Sequence, residues 1–485
     1  MDSVKVPHIQ LLSNNDVERI VEEAKHLLWN TGVFVENDEA MRLLLGAGAK
    51  FDACKSRIQI PETLVEKALA TCPKRIELFD RQGDPAMDLS GDNTYFDPGS
   101  AALKIFDFEK GRSRPPTVDD LGNFARLADY LKNIKAQSTA LVPADVPYSM
   151  ADRLRLYVAL SCCTKPVVTG TFVKESFAIM KDMLVAVRGS EEALREKPLA
   201  IFDACPSPPL KCSDLTCQSL IDCSKAGIPA ELVSMPLSGA TSPATLAGTL
   251  VQHTAEDLSG IVIHQLACSG SPIIYGGSPA FFDMRKGTTP MGAIETMMID
   301  SSYAQVGKSF GLPTHAYMGL SDSRTVDYQA GLESGLGAVT AILSGVNVVS
   351  GVGMMEFENC QSMEKLFLDN DICGMAYRLK KGILVNDETL AREVFREAVS
   401  DASFLNSKHT LKWFREEAYF PSGGIDRSAE SRSEPSSAFE RAAREVKNIL
   451  GTHAVPPLPE QVKSALEEIV DTDLKAHGAR KEWKL

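Results

Sequence analysis

The chain has 485 residues, of which 44% are hydrophobic and 24% charged, and its formal net charge is −13. That composition is ordinary for a folded protein with a large core. The acidic balance, with no basic tract, argues against nucleic acid as a partner, and no apolar run approaches the ~20 residues that span a bilayer.

The first residues, MDSVKVPHIQLLSNND, lack the apolar core of a signal peptide, so a cytoplasmic protein is expected. Residues 14–31 carry apolar positions at helical spacing behind an Asn/Asp start. Short helices are predicted near Glu39–Gly46 and Pro61–Cys72. RIELFDRQG, NTYFDPGS and ALKIFDFEKG then read as strands and hairpins broken by Gly and Asp. Residues 1–130 are therefore expected to form an α+β extension.

From Ile134 onward a different rhythm sets in. KAQSTALVP leads into a predicted helix over Ala151–Cys163, PVVTGTFV into Glu175–Val187, and PLAIFDACPSPP into Leu215–Ala226. PAELVSMPLSGAT leads into Thr245–Gly270, PIIYGGSPAFF into Ala293–Phe310, LPTHAYMGLSDS into Tyr328–Gly345, and VNVVSGVGMMEF into Lys365–Arg378. Seven strand–loop–helix units of crossover length point to a parallel sheet. An eighth strand fits SFLNSK, Ser403–Lys408, and eight such repeats close into a (β/α)8 barrel over residues 131–421. The remainder, 422–485, is polar and then helical, and is expected to wrap the barrel or a neighbouring subunit.

Chemistry in such a barrel gathers where strands end. Tyr275–Glu295, YGGSPAFFDMRKGTTPMGAIE, follows an apolar run that ends in an apparent Gly-Gly turn. It combines Phe281, Phe282, Asp283 and Arg285, and adjacent aromatics beside an acid suit an organic cation. The bland reading stands beside it: paired Phe as core, Asp283 as a turn cap, Glu295 as a helix start. Other strand ends offer Cys205 and Ser207; Ser321, Asp322 and Arg324; Glu356 and Phe357; and His409. Tyr95 and Phe96 are either a lid or core. His315 lies mid-strand, as an interior or a functional residue, while His253 and His264 read as structural. Eleven cysteines at irregular spacing fit reduced, mostly buried thiols better than a zinc or disulfide framework.

Taken in order, TYFDPGSAA, YGGSPAFFDMRKGTTPMGAIE, GLPTHAYMGLSDSRTVDYQAGLES and SFLNSKHT resemble the trimethylamine methyltransferase superfamily, from the first helix to about Arg427. The resemblance implies a (β/α)8 barrel that moves a methyl group from an amine to Co(I) of a separate corrinoid (cobalamin) protein. It implies no metal or nucleotide held by this chain. Founding members of that superfamily carry pyrrolysine, which would fall near Ser321–Arg324, where this chain has standard residues. The chain thus resembles the non-pyrrolysine homologues that use glycine betaine, proline betaine, carnitine and related trimethylammonium compounds.

On that resemblance Phe281, Phe282, Phe357 and Tyr95 are expected to meet the trimethylammonium head, with Phe96 and Ser321 also among the substrate-binding residues. Glu356 and Asp283 would supply counter-charge, while Arg285, Arg324 or His409 would hold the substrate's carboxylate end. The long terminal extensions suggest a homo-oligomer. Two other readings remain open: a zinc-dependent methyltransferase with a thiol acceptor, and a non-catalytic protein that binds quaternary amines.

Overall fold

The structure is a computed structural model that describes residues 7–398, 403–428, 436–480 and 483. Eight parallel strands form its centre: β1 (Tyr95–Asp97), β2 (Gln137–Ser138), β3 (Val167–Gly170), β4 (Ala200–Ala204), β5 (Ala230–Leu232), β6 (Ile273–Gly277), β7 (Thr314–Tyr317) and β8 (Val348–Ser350). Neighbours in this series pair in parallel register from β2 to β8. β8 then pairs with β1, and a parallel bridge from Phe96 to Ile134 closes the ring.

Each strand is followed by a helix: α1 (Val118–Tyr130), α2 (Tyr148–Cys162), α3 (Ser176–Arg188), α4 (Asp214–Ala226), α5 (Leu246–Ala267), α6 (Ile294–Ser309), α7 (Tyr328–Leu343) and α8 (Met363–Lys381). Local chemistry sets several starts. Thr117 caps α1 in a reciprocal box with Asp120, and Ser213, Thr245, Asp327 and Ser362 cap α4, α5, α7 and α8. The expected (β/α)8 barrel is the fold observed, with the seven predicted units in place.

The eighth strand is a correction. SFLNSK is not a strand: Ser407 caps a helix over Lys408–Glu417 instead, and Phe404 and Leu405 are exposed. The ring is completed by Tyr95–Asp97, which lies inside the expected 1–130 extension. The barrel therefore crosses the expected boundary at residue 130, and its last helix ends at Lys381.

Alternation along the strands sorts inward from outward side chains. Tyr95, Ala136, Val168, Ile201, Ile274 and Val348 fill the bottom layer. A hairpin over residues 77–88 seals it from below through Leu78 and Met87. Two residues further along β1, β2, β4 and β8 the interior turns polar, with Asp97, Ser138, Asp203 and Ser350, and β5 and β7 add Glu231 and His315. The helix Asn14–Asn30 packs on α5, Ala438–Thr452 packs on α8 and α1, and Glu460–Ala476 packs on α3 and α2.

One contact tests how tightly helix and strand fit. Gly337 on α7 lies against β7's exit, where an added Cβ would collide with the carbonyl oxygen of Met318. Backbone cannot yield as a side chain can, so Gly337→Ala is expected to destabilise the protein by roughly 1–3 kcal/mol or more. A melting temperature within error of wild type would show that α7 can slide away at no cost.

Candidate active site

The C-terminal ends of the strands open into a well, with helix starts around its rim. Tyr148, Met235, Met284, Ile294 and Tyr328 leave large apolar surfaces exposed there. Within the well Asp203 is partly open to solvent and Cys205 is exposed. Phe172 stacks on Tyr148 with ring centres 5.1 Å apart.

Glu358 reaches across the mouth to Ser278, and the sequence alone does not single it out. Glu356, Phe357 and Glu358 all have left-handed backbone, at φ of 51°, 58° and 66°. Such a run in non-glycine residues costs on the order of 1–2 kcal/mol each. The turn is held by Glu356's N–H on the Ser323 carbonyl and by Asn359 Nδ2 donating to the carbonyls of Glu356 and Phe357. Its effect is to send consecutive side chains in different directions.

Glu358 Oε1 accepts a hydrogen bond from Ser278 Oγ at 2.9 Å. Its charge is felt by Cys205, Asp300 and Tyr317, so it lies amid the ends of β4, β6 and β7. Burial raises its pKa to about 7. Glu356, the acid expected to act, instead has Oε2 2.7 Å from Lys104 Nζ, so its charge is already neutralised.

Beneath Glu358 lies the polar layer. Asp97 accepts from the Gly99 N–H at 2.8 Å and from Ser350 Oγ at 2.8 Å. His315 Nε2 lies 3.1 Å from Ser350 Oγ and 3.4 Å from Glu231 Oε1. Burial holds the imidazole neutral, with its pKa lowered to about 3. Burial likewise raises Asp97 to about 7, and Asp203 to about 7 with help from Asp97's charge. Glu231 is raised well above the usual carboxylate range by burial and then by Asp203 and Asp97. Desolvation among the strand ends, and then the charges of Asp203, Glu231 and Glu358, push the Cys205 thiol up to about 12 although the residue is open to solvent.

A second chamber, of about 660 Å³, opens beside the well and is lined by Phe281, Asp283, Arg285, Asp322, Arg324, Glu333 and Phe357 among others. Five of the expected site residues meet here. Asp283 and Arg285 are bound to each other, with Arg285 Nε and Nη2 at 3.1 and 3.0 Å from the two Asp283 oxygens. Arg324 is exposed and makes no ion pair among the described residues. Ser321 borders the chamber, but its hydroxyl donates to Glu333 Oε2 at 2.6 Å. Phe282 is the next residue along the short strand Ala280–Phe281 and is not among the chamber's lining residues.

Three expected residues lie elsewhere, and these are corrections. Tyr95 sits in the bottom layer, its hydroxyl accepting from the Asp88 N–H, because it begins β1 rather than ending it. Phe96 points outward and is fully buried against Tyr377 of α8. His409 lies on the helix Lys408–Glu417, near the carbonyl of Glu388, and that helix meets α8 at Arg378, at the bottom of the barrel. His409→Ala is accordingly expected to leave kcat and KM within about twofold of wild type in steady-state assays.

The apparent Gly-Gly turn is also strand: Gly276 and Gly277 end β6, where a Cβ would run into His315 and His253 respectively. His253 and His264 are fully buried on α5, as a structural reading requires. All eleven cysteines are free thiols, eight of them buried. No described helix is long and apolar enough to cross a membrane.

A parallel (β/α)8 barrel with its carboxyls gathered at the strand ends is the architecture of a barrel enzyme. The model of the trimethylamine methyltransferase (MTTB) family matches residues 3–478, and the chain belongs to that family and is a methyltransferase. It is 31% identical to trimethylamine methyltransferase MttB of Desulfitobacterium hafniense, over 96% of this chain and 94% of the relative. It is 32% identical to MttB of Methanosarcina barkeri, over 96% of each. To the glycine betaine methyltransferase of Desulfitobacterium hafniense it is 30% identical, over 96% of this chain and 97% of that one. In fold it is similar to the solved monomethylamine methyltransferase MtmB of Methanosarcina barkeri, with a TM-score of 0.55 and 12% identity, over 99% of this chain and 90% of the other.

Proposed function

We propose that the protein removes a methyl group from a quaternary trimethylammonium compound, of the glycine betaine, proline betaine or carnitine type. The methyl would pass to Co(I) of a separate corrinoid protein, releasing the tertiary amine. The observation that carries this reading is Glu358, a carboxylate over the barrel mouth that makes no ion pair with a cation among the described residues. Asp97, Asp203 and Glu231 lie below it, and the imidazole beside them is neutral. A well with this charge balance favours a cationic guest, and Tyr317 adds an aromatic ring, a contact worth roughly 0.5–2 kcal/mol.

A quaternary ammonium leaves as a neutral amine, so no group need protonate it. The chain's own residues then have to hold the cation, exclude water and aim one methyl outward. Glu358 and Tyr317 would hold the head, and Arg324 in the adjoining chamber would pair with a carboxylate tail. The open face with its exposed Tyr148, Met284 and Tyr328 leaves room for a carrier protein, whose corrinoid supplies the nucleophile. Ser321–Arg324 contain only standard residues, which favours a substrate that needs no covalent amine adduct.

Anaerobic turnover with a reduced corrinoid protein, followed by its absorbance change on methylation, tests the reading. Methylation with a trimethylammonium acid and none with trimethylamine is expected. Turnover of trimethylamine alone would overturn it.

A further inference from the structure

We propose that the carboxyl pair Asp203–Glu231 at the floor of the well stores a proton that the organic cation displaces on binding, so that substrate enters by cation-for-proton exchange. The inference rests on the reading of the well as an ammonium site, and adds how its charge is kept balanced when empty.

The geometry is specific. Asp203 and Glu231 occupy adjacent strands in paired register, so their side chains leave the same face side by side. Two carboxyls packed side by side at this depth cannot both hold a negative charge cheaply, so a proton on one of them is favoured. Glu231 is 1% exposed, and neither of its oxygens, nor Asp203 Oδ1, accepts a hydrogen bond among the described residues. A buried anion left in that condition is expensive, and holding the proton removes the charge.

The groups that face the pair include one fixed cation, set against several acids. From β1 comes Asp97, from β7 the neutral His315 and the Tyr317 phenol, and from β4 the Cys205 thiol. The Glu358 carboxyl faces it from the loop after β8, and the Tyr303 phenol of α6 lies within reach of Glu231. Arg155 of α2 is the cation: its charge favours ionised Asp203, while its Nε and Nη2 donate to the carbonyl and hydroxyl of Thr139 and not to either carboxyl, leaving Glu231 unpaired.

Above about pH 7 the other acids of the well are largely ionised, while Glu231 keeps its proton. A trimethylammonium head above the pair supplies the missing positive charge, Glu231 ionises, and the proton passes to solvent. Charge inside the well is unchanged by the exchange: one cation in, one proton out. Affinity should therefore rise with pH, by as much as roughly tenfold per unit for one displaced proton.

The test is calorimetric titration of the full chain with glycine betaine and with tetramethylammonium, without corrinoid protein, at pH 8 in buffers of differing ionisation enthalpy. Release of about one proton per bound cation is expected. Glu231→Gln, which resembles the protonated acid and should fold, is expected to abolish the release and flatten the pH dependence of Kd. Glu358→Gln should weaken binding yet keep the release. Binding with no release, or release that survives Glu231→Gln, would overturn the exchange and leave the proposed reaction standing. Absence of binding together with absence of turnover would remove the reading beneath it.

Discussion

Replacing Glu358 by Gln is expected to raise KM for the quaternary amine by roughly 30-fold or more, because losing one partner of an enclosed charge pair costs about 2–5 kcal/mol. The change in kcat should be small, within about threefold, because of the direction in which charge moves. Methyl transfer destroys the positive charge on nitrogen, so a nearby carboxylate favours the bound cation more than the transition state. A group of that kind is uniform binding at best, and its removal shows in KM. Glu356→Gln is the matched control. Its carboxylate is paired with Lys104, and KM should stay within about threefold of wild type. Steady-state kinetics on the two variants separates the assignments. An unchanged KM for Glu358→Gln, or a large rise for Glu356→Gln alone, would move the cation site out of the central well.

Why the sequence pointed to Glu356 and Phe357 but not Glu358 has a physical answer. In a strand, alternation says which of two neighbours faces inward. After β8 the chain leaves the strand and enters three left-handed residues, where alternation no longer applies. Asn or Gly would have advertised such a turn; Glu-Phe-Glu does not. The one clue was Asn359, whose side chain closes the turn onto two carbonyls.

The barrel was legible for a different reason. Its seven long units each pair an apolar strand with a helix whose start carries a loop or capping residue, such as Ser213, Thr245, Asp327 and Ser362. β1 has only three residues and sits among hairpins, and its partner Val348–Ser350 lies some 250 positions away. Nothing local distinguishes it from Lys104–Asp107, which does form a hairpin. The Gly276–Gly277 pair misled in the opposite sense. Two glycines usually mark a turn, but here they let His315 and His253 approach the strand's backbone. The polar middle layer was hidden because Asp97, Asp203 and Glu231 come from three strands and meet only when the ring closes.

Phe96→Ala is expected to be among the most destabilising single changes in the chain, by about 3–5 kcal/mol, since it deletes a fully buried ring. Phe96 meets Tyr377 edge-on, with ring centres 5.4 Å apart and planes at 78°. The Tyr377 hydroxyl donates to the carbonyl of Thr94 at 3.0 Å, tying α8 to the residue before β1. The ring therefore anchors the strand that completes the barrel. Its loss should loosen β1 from β8 and from the bridge at Ile134 together. Phe96→Leu keeps most of the volume and should cost under about 1.5 kcal/mol. Neither change should alter KM in the folded fraction, because Phe96 points away from the well. Chemical denaturation gives the first quantity and kinetics below the unfolding transition gives the second. If Phe96→Ala kept full stability but raised KM tenfold, the ring would belong to the substrate site after all, and the outward face of β1 would have to be reassigned.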